Sequence, residues 1–357
     1  MSGELSLPVP WGAIFSMSPC HCRNEPDKQD IFTVKVLSLE LIVTIVLPVF
    51  GLIGLGWLAA HSAYLKPETG DGLIDFVFRI AVPLLIFRTI ATADFAGAQP
   101  WSLWASYFSG VVVTWTLGTL VIRNVFHRDA RAGVVAGFSA AFANTVLIAI
   151  PLVLTAYGDE GVAAVFLLIS VHLPLMMLAG TLLQQRALRL DGLSDGHVSL
   201  AETLSTMALS LVRNPIIVGI VAGGLWYLLD LPLSGLPETL VTRLGQVAGT
   251  LALFAMGMSL RRYEISGNIL PAICLSVMKL SIMPAVVLIA ALYVFPLPDL
   301  WVKAMVVTAA CPAGVNTFLV ASYFKTGQAL ASNTITISTG LGVGTVALWL
   351  YIVELVV

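Results

Sequence analysis

Long apolar runs, broken by short polar punctuation, dominate this chain from about residue 36 onward. Five runs lack Asp, Glu, Lys and Arg altogether: Phe95 to Ile122, Ala132 to Gly158, Gly161 to Gln185, Ala304 to Phe324 and Thr326 to Val353. Each reaches the ~20 residues that a helix needs to cross hydrocarbon. The runs are continuous rather than alternating, which excludes a membrane β-barrel. With the turn residues between them, they predict ten helices at about 36–60, 71–91, 101–122, 131–157, 160–186, 205–230, 238–261, 268–295, 301–324 and 328–355. The fold class is therefore an all-α polytopic membrane protein.

Loop charges give these helices a direction. Lys66, the group Arg123, Arg128 and Arg131, the pair Arg186 and Arg189, the pair Arg261 and Arg262, and Lys325 follow the odd-numbered helices. Asp94, Asp159 with Glu160, Asp230 with Glu238, Asp299 and Glu354 follow the even-numbered ones. Basic loops stay in the cytoplasm, so both termini are predicted outside it. Arg23, Lys28 and Lys35 in the tail oppose this reading, and the nine loops outweigh them. Composition agrees with the class: 58% of the 357 residues are hydrophobic and 11% charged, against about 25% charged in soluble proteins. The net charge of -2 and the lack of a basic tract imply no nucleic-acid partner.

The two halves echo each other. Pro48 to Trp57 matches Pro215 to Trp226, Val82 to Phe87 matches Gly249 to Phe254, and Asn144-Thr145 matches Asn316-Thr317. An odd number of spans per half makes the second half enter the membrane inverted, a layout that many secondary transporters share. The expected divisions are a polar tail at 1–35, a first repeat at 36–186, a linker at 187–204 and a second repeat at 205–357.

Asn144 lies 13 residues after Arg131, and Asn316 lies 13 after Lys303, so both fall near the membrane midplane. Pro151 follows the first pair, while Pro312 and Gly314 precede the second. Proline removes a backbone donor, and freed backbone at this depth must line a cavity or be covered by protein. Half-helix N-termini there offer N–H groups to an anion. The pairs Asn144-Thr145 and Asn316-Thr317 are thus candidate substrate ligands, with Ala143, Pro151, Pro312 and Gly314 at the interruptions. Interhelical packing by asparagine is the simpler alternative. Lys279 sits mid-span and joins the candidates, either meeting a substrate carboxylate or being held by carbonyl groups.

Other features carry less. Asp75 and Arg79 are spaced to pair on one helix. Gly340-Leu341-Gly342-Val343-Gly344 lies inside the last helix and reads as close packing, not as a phosphate loop. Cys20-His21-Cys22 has no second cluster to complete a metal site, and no cofactor or nucleophile–base pair is implied. No Walker motif is present, so the chain does not use ATP itself.

These residues resemble a known family. Asn144 to Gly158 (NTVLIAIPLVLTAYG) is similar to the fourth helix of the auxin efflux carrier family, which includes plant auxin exporters and bacterial carriers for malonate-like acids. Ala81 to Phe87, Leu211 to Pro215, Leu253 to Leu260 and the stretch from Lys279 through Pro284 resemble its second, sixth, seventh and eighth helices. The resemblance implies a fold shared with bile-acid and sodium/proton carriers, in which broken helices 4 and 9 cross. Helices 1, 2, 6 and 7 would form a scaffold, usually homodimeric, and helices 3–5 and 8–10 a moving transport domain. A small organic anion would sit at the crossing, carried by an elevator-type movement in a bacterial inner membrane. Plant members carry an Asp and a Lys on helix 3, whereas Trp101 to Ile122 has no charge; the short linker also excludes the plant regulatory loop. A cation or proton-coupled antiporter of related fold would need carboxylates at the crossing, and none lies between Asp129 and Asp159 or between Asp299 and Glu354. A receptor subunit without flux is the third reading. The coupling ion, proton or sodium, stays open.

Overall fold

The computed structural model describes residues 42–92, 99–193, 212–263, 265–267 and 269–357. The tail with Cys20-His21-Cys22, Asp94, His197, most of the predicted linker and the start of the predicted sixth helix lie outside the described residues.

Thirteen α-helices are described: α1 (Leu47–His61), α2 (Pro67–Phe76), α3 (Val82–Thr92), α4 (Pro100–Leu120), α5 (Ala130–Ala141), α6 (Ile150–Leu190), α7 (Pro215–Leu228), α8 (Gly235–Leu260), α9 (Leu270–Val277), α10 (Met283–Ile289), α11 (Asp299–Ala310), α12 (Asn316–Tyr323) and α13 (Gln328–Val356). Turns of π-helix, at Val77–Ala81 and Met278–Ile282 among others, join several of them into longer rods. No strand occurs among the described residues apart from one isolated bridge. Six helical stretches are long and apolar enough to span a bilayer: Val43–His61, Pro100–Val125, Thr145–Leu190, Gly235–Leu260, Leu270–Val294 and Gln328–Val356. The chain is an integral membrane protein.

Helix starts follow the sequence. Proline occupies the first turn of α2, α4, α7 and α9, where its missing N–H costs nothing. Asp129 caps α5 through Ala132 N at 2.8 Å, and Asn214 caps α7 through Ile216 N at 3.0 Å. The 46-residue stretch Thr145–Leu190 bends at Gly158, whose φ of 66° and ψ of -163° only glycine holds without strain. That bend falls between the predicted fourth and fifth helices.

Two helix pairs pack at backbone distance. On α1 and α8, a Cβ on Gly56 would lie 2.0 Å from Phe254 O, and one on Gly257 would lie 1.9 Å from Ile53 O. On α7, Gly219 and Gly223 approach the backbone of Pro83 and Phe87 on α3 in the same way. The glycine run in α13 behaves differently from the expectation: Gly342 packs on Pro312, but Gly340 and Gly344 face open space.

Each interrupted helix is tied to a later helix end by an ion pair. Asp191, just past α6, accepts from Ala130 N at 2.9 Å and from Arg131 N and Nε at 3.1 Å each. Burial works against the Asp191 carboxylate, but the two backbone donors and the Arg131 guanidinium win and hold its pKa below the usual range. In the other half Lys303 Nζ meets Glu354 at 2.8 Å. Asp75 and Arg79 pair as expected, Arg88 reaches Asp159 at 3.1 Å, and Arg262 pairs with Asp71.

Candidate functional site: a crossing of two interrupted helices

The interruption after α5 contains no proline. Phe142 turns extended (φ -87°, ψ 105°), and Asn144 forms an inverse γ-turn (φ -77°, ψ 75°) closed by Thr145 N on Ala143 O at 2.9 Å. Asn144 then caps the next stretch, its Oδ1 accepting from Leu147 N at 3.2 Å. The interruption after α11 is proline-made. Pro312 drives Cys311 to extended geometry (φ -61°, ψ 147°) and supplies no donor of its own.

The two interruptions meet. Ala143 and Ala313 form the one antiparallel bridge, with Asn144 N donating to Pro312 O and Gly314 N to Phe142 O, both at 2.9 Å. Ala313 N donates to Ser338 Oγ of α13 at 3.0 Å. Gly314 permits the approach, because a Cβ there would sit 2.7 Å from Phe142 Cδ1 and 3.0 Å from Ala143 O. The exchange satisfies backbone groups that apolar surroundings would otherwise leave unpaired.

Donors remain. The N–H groups of Val146, Val315 and Asn316, in the first turns after the crossing, make no hydrogen bond among the described residues. The Asn316 amide is half-buried and likewise unbonded, and the Thr317 hydroxyl is fully buried without a partner. Asn144 Nδ2 donates at 3.3 Å to Met256 Sδ of α8, a weak acceptor. Asn144 and Thr145 are 4% and 5% exposed, so the first side of the crossing is closed.

Lys279 is fully buried in the Met278–Ile282 turn, and its ammonium donates to the Ala309 carbonyl at the C-terminal end of α11. That position favours a cation. Pro151 stands apart from the crossing, in the first turn of α6, against Gly249 of α8. The structure therefore brings together Ala143, Asn144, Thr145, Pro312, Gly314, Asn316 and Thr317, places Lys279 beneath the second interruption, and leaves Pro151 outside. Met256 and Ser338 were not anticipated. Met256 lies in the stretch Leu253 to Leu260, whose pattern marked a helix and not a partner for Asn144; Ser338 carries no signal in a single sequence.

A cavity of ≈ 270 Å³ lies near this crossing, on the side of the basic loops. Asp71, Met258, Ser259, Arg261 and Arg262 are among its lining residues. Ser259 Oγ lies 3.7 Å from the same Met256 sulfur that accepts from Asn144. The cavity wall is thus one helical turn from the crossing.

Apolar helices, two of them interrupted and paired at the interruption, define a helical membrane transport protein. A family model described as "Membrane transport protein" matches residues 41–350, and the chain belongs to that family, the auxin efflux carriers. It is 27% identical to a Rhizobium meliloti (strain 1021) protein named "Putative malonate transporter", over 88% of this chain and 96% of that one. It is 24% identical to "Auxin efflux carrier component 8" of Arabidopsis thaliana, over 81% of this chain and 91% of that one.

Proposed function

We propose that the crossing binds a small carboxylate and that the chain carries it across the membrane as a secondary transporter. One observation carries this reading: unpaired donors lie in the first turns after the two bridged interruptions, in stretches with no carboxylate. The free N–H groups of Val146, Val315 and Asn316, the Asn316 amide, the Thr317 hydroxyl and the Asn144 amide all suit an anion. A carboxylate oxygen is a far stronger acceptor than the Met256 thioether and would displace it. The names of the two relatives support a malonate-like or auxin-like acid as substrate class.

The proposed architecture has ten crossings in two inverted halves. The reciprocal glycine contacts support it: α1 packs on α8 as α3 packs on α7, the arrangement that exchanging the halves would produce. The paired ties Arg131–Asp191 and Lys303–Glu354 support it as well. In this reading α1, α2, α3, α7 and α8 form the scaffold, and the remaining helices form a transport domain that moves as an elevator. Apolar side chains exposed on α1, α7 and α8, such as Leu55, Val221 and Leu240, suit lipid or a second copy in a homodimer. The cavity at Arg261 and Arg262 is the cytoplasmic approach, with both termini on the far side of a bacterial inner membrane. An antiporter reading has no support at the crossing, where carboxylates are missing.

The test is malonate counterflow in proteoliposomes. Asn144→Ala and Asn316→Ala each should lower it at least about tenfold, the cost of one charge-assisted hydrogen bond, while assembly on size exclusion stays normal. Full counterflow by both variants sinks the assignment.

A further inference from the structure

Behind the crossing lies a polar cluster that substrate contact does not use. His172, on the part of α6 beyond Gly158, stacks on Phe142 with ring centroids 4.7 Å apart. Its ring also meets Tyr107 of α4 edge-on at 5.5 Å. His172 is 1% exposed and Tyr107 0%. Among the described residues, neither His172 Nε2 nor the Tyr107 hydroxyl has a hydrogen-bond partner. Lys279 lies within electrostatic range of His172 and of Cys311, and Tyr107 within range of Cys311.

The elements against His172 present Tyr107 and Phe108 from α4 and Phe142 from the first interruption; Lys279, in the Met278–Ile282 turn, is the cation that acts on it electrostatically, and Cys311 acts on Tyr107 and Lys279. No Asp or Glu occurs in the stretches that supply them. Phenylalanine at 107 and 172 would satisfy the same ring contacts. Two polar atoms left unpaired on one aromatic stack, in an apolar interior, call for a bound species that pairs with them.

We propose that His172, stacked on Phe142 and edged by Tyr107, is the proton site that couples carboxylate transport to a proton gradient. The inference rests on the carboxylate reading of the crossing. Imidazole is the side chain that changes charge nearest neutral pH. The step is a simple proton transfer: bulk water on the loading side gives a proton to Nε2, and Nε2 returns it to water on the other side. No other bond changes. The substrate's negative charge makes a second cation tolerable in an interior that already holds Lys279, so proton and anion load together. Phe142 is the physical link, since its ring stacks on His172 and its carbonyl accepts from Gly314 N.

The experiment reads malonate counterflow and malonate uptake under an inward proton gradient in the same proteoliposomes. In the native protein the gradient should raise uptake at least about fivefold. His172→Gln should lose that rise and keep counterflow within about twofold, because His172 touches Phe142 and not the substrate. Tyr107→Phe, which keeps the ring, should weaken the rise and guards against misfolding of the first variant. Native uptake that ignores the gradient, or a full response in His172→Gln, overturns the proton site and leaves the crossing assignment standing. Failure of the native protein to exchange malonate at all overturns both.

Discussion

The two interruptions share a backbone plan and differ in chemistry. At the first, no proline is present; Asn144 makes the break by turning and capping, and its side chain is engaged on both ends, with Leu147 N and with Met256 Sδ. The aromatic stack of Phe138, Phe142 and His172 closes it off. At the second, Pro312 forces the break, and the side chains after it are idle: Asn316 is half-exposed, Thr317 unpartnered, and Lys279 is close beneath. Symmetric geometry here does not bring symmetric chemistry: the Asn144 side chain is engaged at the first interruption, while Thr317 is unpaired at the second among the described residues.

The largest effect should follow from separating the two. Gly314→Ala places a methyl 2.7 Å from Phe142 Cδ1 and 3.0 Å from Ala143 O, so the stacked Phe142 ring must shift and the bridge is strained. A displacement near 1 Å at a reacting or binding centre costs on the order of 10²-fold. Malonate uptake should fall by about that factor, whereas Gly340→Ala, facing open space, should leave it unchanged. Normal uptake by Gly314→Ala would mean that the close approach is not needed.

A smaller effect sharpens the contrast from the other side. Thr317→Val removes a buried hydroxyl that bonds nothing in the structure. Removing an unsatisfied polar group is neutral or stabilising, so the thermal midpoint should hold or rise. If the hydroxyl meets the substrate, the apparent KM should rise about tenfold, the equivalent of ~1.4 kcal/mol. A lower midpoint with unchanged KM would show that Thr317 is structural.

The sequence made much of this legible because membrane insertion writes large signals. Charge-free runs located the apolar helices, and the Asn-Thr pairs with Pro312 and Gly314 located the interruptions. The same logic failed at Pro151: proline in an apolar run reads as a break, but here it lies inside the continuous helical stretch Thr145–Leu190, just past a π-turn, without interrupting it. It failed too at Gly340 and Gly344, since spacing alone does not say which face of a helix meets a neighbour. Asn144's contact with Met256 and Ser338's with Ala313 join residues far apart in the chain, 112 and 25 positions respectively, and follow only from tertiary placement.

The least effect concerns the ties at the helix ends, and it bears on whether the two halves are held alike. The Asp191 carboxylate receives two backbone N–H groups at the start of α5 besides Arg131, whereas Glu354 receives the Lys303 ammonium at 2.8 Å. The folded-state pKa of Asp191 lies below the value of an unfolded aspartate, near ~3.9. A carboxylate of that kind adds stability that is fully present above the unfolded value and is lost as pH falls through the folded one. In detergent, the thermal midpoint of Asp191→Asn should therefore sit below that of the native protein at neutral pH, by a few degrees. The gap should begin to close below about pH 4, once unfolded aspartate takes up protons. A gap that stays constant down to pH 3 would assign the loss to the altered hydrogen bonds at the start of α5 rather than to charge. The first interruption would then be anchored by geometry alone, and the difference between the two halves would lie wholly at the crossing.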